Sequence, residues 1–346
     1  MDFIIQNESN RHLIVLVHGL NGGEDSWRGS SQRFAETLSQ NSIVQENFDM
    51  AMFNYGTKIF KLNCFTKFKN TILGFLSNRP KEDIKGFNVG IESISRPLES
   101  EIRGLHTNYN TITFLAHSMG GLVTKSALTW LSNDEDVLKK IELFISLSVP
   151  HIGAFLAKVG KTLPVLGDNP QIVDLEAMGT FTTQLNGRYA NLKYLPKLVY
   201  QGGNQDTVVP PQSAIPPNVP SKLVENTTDD HFSVLLIKNS KNHALFNRII
   251  GELNVVLQPF CSIEVDVPQD TPFGFLVTTI ASRNKLTVDT SCFTRGELDA
   301  KLREDKINST SVEDFLIKIG NLSINTFPKY SVTRERGTLN YTFSKI

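Results

Sequence analysis

One segment, residues 114–122, constrains the fold of this chain more than any other. It reads Phe-Leu-Ala-His-Ser-Met-Gly-Gly-Leu, so that Ser118 stands between an apolar strand-like run and a helix-like run. A serine at such a junction sits in a sharp turn that leaves room only for small residues two positions before and after it. Ala116 and Gly120 meet this requirement. The segment predicts a strand–turn–helix unit with an exposed hydroxyl at its tip, whereas the alternative is an ordinary glycine-rich turn.

Strand-like and helix-like runs alternate over residues 1–257. Unbroken apolar runs, such as 13–17 and 111–116, are typical of strands that are buried on both faces of a parallel sheet. The run 91–105 has helical spacing, and Pro97 is expected to start or kink that helix. This alternation predicts an α/β fold with right-handed crossovers and a mostly parallel sheet that has helices on both faces.

The pattern changes after Pro259. Strand-like runs are expected at 262–267, 273–281, 285–288, 330–333 and 339–343, and helices near 297–303 and 312–319. We therefore expect one domain over 1–258 and a smaller α+β or mostly β domain over 259–346. The second domain is either a module for a protein partner or regulator, or a structural cover. Its place after the closing helix favours the module.

The composition excludes several classes of protein for this chain. Thirty-five basic residues balance thirty-five acidic ones, so the chain as a whole has no bias toward nucleic acid. The three cysteines stand far apart, without Cys/His ligand spacing, and neither a disulfide framework nor a metal site is predicted. Neither a signal peptide nor a run of about eighteen apolar residues for a membrane span is apparent. We expect a cytoplasmic protein without a cofactor.

Two residues further along the chain complete a nucleophilic site with Ser118. Asp206 follows a late strand-like run, and His231 lies between the last strand and the closing helix. An imidazole can take the serine proton, and a carboxylate can orient the imidazole. Asp229 and Asp230 are weaker candidates for the acid, because they adjoin the histidine in sequence. The order Ser–Asp–His predicts Ser118 as nucleophile, His231 as general base and Asp206 as the orienting acid.

Two backbone amides are expected to hold the oxyanion that forms when Ser118 attacks a carbonyl. The loop after an early strand supplies one donor, for which Leu20 is the candidate, and Met119 supplies the other at the start of a helix. Gly19 lets the backbone approach the substrate closely. The supporting positions are expected to be His18, Gly19, His117 and Gly120.

Three stretches resemble one group of known proteins: 18–28 (HGLNGGEDSWR), 116–125 (AHSMGGLVTK) and 148–154 (SVPHIGA). They look like the lipase-like branch of the α/β-hydrolases, and most like the serine esterases grouped with the serine-active-site-containing protein and with GPI inositol-deacylase. Val149 and Ala154 replace that group's usual Thr and Ser. The resemblance covers about 1–257. It implies an α/β-hydrolase fold and a carboxylic-ester or lipid substrate.

Two stretches are candidate lid or cap segments. Residues 57–76 combine lysines and aromatic residues without an acidic residue, which suits transient contact with a membrane surface or lipid head group. A helix that packs on the sheet with its lysines in water is the favoured alternative. Residues 155–195 could line an acyl pocket or form core.

The leading prediction is a carboxylic-ester hydrolase that acts on a small-molecule or lipid ester through an acyl-enzyme. An acyltransferase with the same triad is an alternative, and so is an inactive hydrolase-fold scaffold. The complete set of triad residues disfavours the scaffold. The sequence leaves open the acyl length, the alcohol portion, the oligomeric state and the pathway.

Overall fold

The computed structural model describes residues 1–20, 24–28, 32–56, 90–153, 180–237, 243–260, 263–266, 271–300, 306–309, 311–321, 330–335 and 337–345. The chain divides into two compact units, Met1–Asn247 and Arg248–Ile346. The division falls within the helix Ala244–Leu257, whereas the composition changes only where that helix ends. The candidate lid at 57–76 lies outside the described residues, and the candidate cap at 155–195 is described only from residue 180.

A seven-stranded sheet forms the centre of the first unit. Its strands are β1 (Asp2–Ile5), β2 (His12–Val17), β3 (Phe48–Phe53), β4 (Thr111–His117), β5 (Ile141–Leu147), β6 (Lys197–Gly203) and β7 (Val224–Thr227). The strand order is β1-β3-β2-β4-β5-β6-β7, with β1 antiparallel and every other pair parallel. The predicted mostly parallel sheet is confirmed.

Helices connect these strands. They are α1 (Glu24–Trp27), α2 (Phe34–Ser39), α3 (Ser42–Asn47), α4 (Ile91–Leu105), α5 (Met119–Trp130), α6 (Glu135–Leu138), α7 (Thr180–Ala190), α8 (Pro211–Ala214) and α9 (Ala244–Leu257). Helices α4 and α7 both pack on α5. Short 3-10 turns lie at His106–Asn108, Ser221–Leu223 and Ser233–Leu235.

The central strands form because their side chains are apolar on both faces. Every residue of β2, β3, β4 and β5 is buried, and Phe114 meets Phe144 edge to face across two neighbouring strands. Complete burial of each large apolar side chain contributes about 1.5–3 kcal/mol to folding. The carboxyl ends of these parallel strands meet at one edge of the sheet, and this edge carries the candidate site.

Helix α4 runs without interruption past the proline that was expected to start or kink it. Pro97 lies inside the helix and leaves the carbonyl of Ser93, four residues earlier, without its helical partner. Both residues are exposed, so water can satisfy that carbonyl. The buried stripe of α4 continues on either side of the proline and holds the helix together; it comprises Ile91, Ile94, Leu98 and Ile102.

The second unit is an α+β domain. Its elements are β8 (Ile263–Asp266), α10 (Phe273–Arg283), β9 (Thr287–Asp289), α11 (Arg295–Leu298), β10 (Lys306–Ser309), α12 (Val312–Asn321), β11 (Tyr330–Arg334) and β12 (Asn340–Lys345). Strands β8 and β10 form an antiparallel pair, and a three-stranded sheet has the order β11-β12-β9. No helix within the described ranges is both long and apolar enough to span a membrane.

The prediction of a strand over 273–281 was wrong, because this segment is the helix α10. Its buried residues are Phe273, Leu276, Val277 and Ile280, which repeat at the i, i+3, i+4, i+7 spacing of a helix face. The β-branched residues in the run suggested a strand, but one buried face on the helical period determines the structure.

Candidate active site

The site is built around the turn between β4 and α5. Ser118 stands alone between them with φ 53° and ψ −132°, a conformation that non-glycine residues rarely adopt. Such a backbone costs about 1–3 kcal/mol and persists only where its surroundings fix it. The N–H of Ser118 donates to the carbonyl of Leu147, and its own carbonyl accepts from the N–H of Gly121, both at 3.0 Å. These bonds hold the strained turn and present the hydroxyl.

Two glycines allow the turn to pass closely against the loop that follows β2. A Cβ on Gly120 would lie 2.3 Å from the carbonyl oxygen of His18, and a Cβ on Gly19 would lie 2.6 Å from the Cβ of Ser118. Neither approach is sterically allowed, since the first neighbour is backbone and the second is the Cβ of Ser118, which the strained turn fixes. The close packing therefore requires glycine at both positions.

The structure brings Ser118, Asp206 and His231 together. The ring Nε2 of His231 lies 2.9 Å from Oγ of Ser118, and its Nδ1 lies 2.9 Å from Oδ2 of Asp206. Because a carboxylate only accepts, Nδ1 carries the proton, and Nε2 is then free to accept from the serine hydroxyl. All three side chains are buried, at 7%, 4% and 5% exposure respectively.

Asp206 is held in place as a carboxylate. Its Oδ1 accepts from the backbone N–H groups of Val208 and Val209 at 2.9 and 2.8 Å. Burial alone would raise its pKa, but the hydrogen bond and positive field of His231, with the bonds from Val209 and Ser148, outweigh burial and lower it. The group therefore stays charged at neutral pH, as a partner for an imidazolium requires.

The two weaker candidates for the acid, Asp229 and Asp230, are used otherwise. Oδ1 of Asp230 accepts from the N–H groups of Phe232 and Ser233, at 2.9 and 2.8 Å, and so caps the short turn that follows the histidine. Oδ1 of Asp229 accepts from the hydroxyl of Ser233 at 3.2 Å. The ring nitrogen of His231 turns instead toward Asp206, from a different loop.

Two residues that support the acid were missed from the sequence. The N–H of Ser148, which has φ 48°, donates to Oε1 of Gln201 at 2.9 Å, and Nε2 of Gln201 donates to the hydroxyl of Thr227 at 2.9 Å. The Ser148 hydroxyl donates to Oε1 of Gln201 at 3.4 Å, and its polarity beside Asp206 helps to lower the pKa of that carboxyl. The one signal in the sequence is a glutamine that ends the strand-like run 197–201, and no local spacing indicates its bond to Ser148.

His18 fixes the loop that leads to Leu20. Its ring Nδ1–H donates to the carbonyl of Gly19 at 2.9 Å, its Nε2 accepts from the N–H of Tyr55 at 3.2 Å, and the two rings stack at 4.1 Å. The Tyr55 hydroxyl donates to the His18 carbonyl. Burial lowers the pKa of His18 to about 4, so the ring is neutral at physiological pH. Tyr55 was not predicted from the sequence.

One expected oxyanion donor, Met119, directly follows Ser118 in the chain, and the other, Leu20, follows a glycine that packs against Ser118. Met119 is the first residue of α5, where the backbone N–H has no partner within the helix and the helix dipole favours negative charge. Leu20 follows Gly19, which the structure packs against Ser118. Their role as donors stays a prediction.

A buried polar chain lies behind the nucleophile helix. Nζ of Lys125, on α5, donates to Oδ1 of Asn186 at 2.9 Å, and Nδ2 of Asn186 donates to the carbonyl of His151 at 2.7 Å. Burial lowers the pKa of Lys125 to about 7. Asn186 lies on α7, so this series of hydrogen bonds connects α5 and α7 with the loop after β5. No cluster of His, Cys, Asp or Glu suited to a metal occurs among the residues described.

The family comparison agrees with this geometry. Residues 7–166 match the model of a protein family described as "Putative serine esterase (DUF676)". The matched segment contains the loop of His18 and the turn at Ser118, whereas Asp206 and His231 lie beyond its end. The resemblance inferred from the sequence is confirmed, and the family supports a hydrolase of the esterase type.

Solved structures of lipases are also similar to this chain. The mature lipase BlEst2 of Bacillus licheniformis is 17% identical with a TM-score of 0.49, over 72% of this chain and 94% of the lipase. A monoacylglycerol lipase of Paleococcus ferrophilus is 13% identical with a TM-score of 0.41, over 73% of this chain and 98% of the lipase. The α/β-hydrolase fold itself is evident in the strand order and the nucleophile turn of this chain.

Proposed function

We propose that the first unit is a carboxylic-ester hydrolase with Ser118 as nucleophile, His231 as general base and acid, and Asp206 as the group that orients the imidazole. One observation carries the proposal: a single buried ring bonds a strained serine through one nitrogen and a charged carboxylate through the other, both at 2.9 Å. A serine, an imidazole and a carboxylate bonded in this order support nucleophilic catalysis rather than a structural role, because the imidazole can take the serine proton while the carboxylate orients and stabilises it.

In the first half of the reaction, Nε2 of His231 takes the proton of Ser118 as Oγ attacks the carbonyl carbon of the ester. The tetrahedral oxyanion is held by the N–H groups of Leu20 and Met119, and loss of one such donor typically costs about 10²–10³ in rate. His231 then gives the proton to the departing alkoxide. The carbon–oxygen bond of the ester breaks, an alcohol leaves and the acyl group stays on Ser118.

In the second half, water replaces the alcohol. His231 takes a proton from the water as it attacks the acyl-enzyme, and the second tetrahedral intermediate collapses to release a carboxylic acid and Ser118. Throughout, the imidazolium of His231 is stabilised by the carboxylate of Asp206.

The substrate class, an acyl or lipid ester, rests on the resemblance to serine esterases. Contact of 57–76 with a membrane surface stays a prediction about residues outside the described ranges.

Steady-state turnover of p-nitrophenyl esters of graded chain length tests the proposal. The chain should release nitrophenol with a measurable preference for one acyl length, and His231→Ala should reduce kcat by several orders of magnitude while the melting temperature stays close to that of the wild type. Product analysis with an added alcohol separates hydrolysis from acyl transfer. Turnover that survives in His231→Ala would contradict the assignment of the base.

A further inference from the structure

We propose that His117 is a positioning residue for the general base: its ring Nε2–H holds the backbone carbonyl of His231 and so fixes the imidazole against Ser118. This inference rests on the proposed function, since it concerns the geometry of the same reaction. It assigns a defined task to a residue that the sequence marked only as a supporting position.

The first argument is the contact itself. Nε2 of His117 lies 2.8 Å from the carbonyl oxygen of His231. A carbonyl oxygen only accepts, so Nε2 of His117 carries the proton and donates it. The contact is therefore a directed hydrogen bond to the backbone of His231 itself. Such a bond fixes the position of the residue more specifically than packing of nearby side chains. The two imidazole rings lie 4.8 Å apart between their centroids.

The second argument is the support of the loop that carries the base. His231 lies between β7 and the short turn at Ser233–Leu235, where the backbone has no strand or long helix to fix it. Bonds to its neighbours tie other positions of the loop, such as those from the N–H groups of Phe232 and Ser233 to Oδ1 of Asp230 at 2.9 and 2.8 Å. The bond from His117 instead acts on the backbone of His231 itself, and it comes from a strand of the central sheet.

The third argument is the origin of the donor. His117 is the last residue of β4, directly before Ser118, and it pairs with Leu147 of β5 in the parallel ladder. One rigid strand end therefore carries the nucleophile in its backbone and holds the base through the preceding side chain. The separation of Ser118 from His231 then depends on one residue of a buried strand rather than on the path of a long loop.

The fourth argument is charge. During the reaction His231 becomes an imidazolium, and a second positive ring at this distance would oppose it. Burial, and then repulsion from His231, lower the pKa of His117 to about 3, so that its ring stays neutral wherever the base can work. A neutral N–H donor positions the base without an electrostatic penalty, which a lysine or arginine in the same place would impose.

Three substitutions at one position test the inference by kcat and KM with p-nitrophenyl acetate. His117→Gln keeps an N–H near the place of Nε2 and should retain kcat within about threefold of the wild type. His117→Asn, whose amide is too short to reach, and His117→Leu, which has no donor, should lower kcat by about 10–100-fold, because an error of about 1 Å in placement costs up to that much. KM should change by less than about threefold.

His12→Leu is the matched control. His12 is a similarly buried neutral histidine, its Nδ1 lies 2.8 Å from the Thr111 hydroxyl, and it opens β2 opposite the first residue of β4, at the other end of the sheet from the site. This variant should lose stability and keep kcat, when kcat is referred to active chains counted with a fluorophosphonate. Circular dichroism and the melting temperature establish that each variant is folded.

The outcomes distinguish failure of the positioning role of His117 from failure of the proposed hydrolase function. Unchanged kcat in folded His117→Asn or His117→Leu would overturn the positioning role and leave the proposed function intact. A kcat for His117→Gln as low as that of His117→Leu, or an equal loss in His12→Leu, would also overturn it, since the loss would then reflect packing alone. A wild-type chain that neither hydrolyses the ester nor reacts with the fluorophosphonate would overturn the proposed function and this inference together.

Discussion

The two ends of the central sheet hold the same kinds of residue and use them differently. At the amino end, Asp49 is buried and accepts from the N–H of Asn7 at 2.8 Å, the side-chain amide of Asn10 at 3.1 Å and the hydroxyl of Tyr109 at 2.7 Å. His12 bonds Thr111 nearby. None of these bonds leads to the candidate site, so we expect these residues to stabilise the fold.

At the carboxyl end, an aspartate and a histidine are again hydrogen-bonded, but here the series of bonds ends at a serine hydroxyl. Asp206 is fixed by backbone N–H groups on one oxygen, and its other oxygen holds His231, which reaches the hydroxyl of Ser118. The last member stands on a strained turn, where an attacking oxygen can meet a substrate. In the proposed function, the catalytic role of a buried aspartate or histidine comes from the position of its last partner, and not from its residue type.

Removal of the nucleophile should give the largest effect. Ser118→Ala should lower kcat by about 10⁴–10⁶-fold, because no other group can form the acyl-enzyme. Ser126→Ala is the control: that hydroxyl is buried on the same helix, bonds Ser95 at 2.8 Å and takes no part in the site. Its kcat should be that of the wild type. Ester turnover by both purified variants is the measurement, and an active Ser118→Ala would break the comparison.

Neutralising the two buried aspartates should affect kcat at one end of the sheet and stability at the other. Asp206→Asn should lower kcat by about 10⁴-fold, because an amide donor facing Nδ1 favours the wrong tautomer of His231. Asp49→Asn should leave kcat unchanged and cost about 1–3 kcal/mol of unfolding free energy, because a carboxylate with three donors is lost. Paired kinetics and urea unfolding decide, and equal kinetic losses would show that the amino end also serves catalysis.

Two glycine substitutions sharpen the claim that the nucleophile turn is closely packed. Gly120→Ala should destabilise the fold and abolish turnover, since its Cβ would meet backbone oxygens of the loop after β2. Gly104→Ala, on α4, meets nothing within 4 Å and should stabilise the chain by about 0.5–1 kcal/mol. Thermal unfolding of both variants measures the difference; a Gly120→Ala variant as stable as the wild type would contradict the packing described.

The effect with the least influence at neutral pH is a pH dependence of stability at the amino end of the sheet. Burial lowers the pKa of His12 to about 4, whereas the unfolded chain has an ordinary value of about 6.5. Between these values the unfolded state binds a proton that the folded state does not, so stability falls as pH falls from about 6.5 to 4. His12→Gln should remove up to about 1.4 kcal/mol per pH unit of that slope. Urea unfolding at several pH values measures it, and an unchanged slope would contradict a neutral His12.

The sequence was sufficient to predict features that depend on residues adjacent in the chain. Small residues on either side of Ser118 indicated the turn, and unbroken apolar runs indicated the parallel strands. The order of Asp206 and His231 after late strands was sufficient to select them, because parallel strands bring their carboxyl ends to one edge. The structure places His231 within hydrogen-bonding distance of both Ser118 and Asp206.

Contacts across the fold were not predictable in the same way. Tyr55, Ser148 and Gln201 support the site through partners far away in sequence, and no local spacing reveals such bonds. The helix α10 was mistaken for a strand because β-branched residues obscured its single buried face. Helix α4 begins at Ile91 rather than near Pro97, because its buried face continues on both sides of the proline.

The most direct test of the account is the site of covalent reaction with a fluorophosphonate, read by intact mass and peptide mapping. We predict one adduct for each chain, on Ser118, formed at a rate that falls by at least about 10³-fold in His231→Ala. An adduct on any other residue, or labelling of Ser118 that is equally fast without the imidazole, would contradict the account.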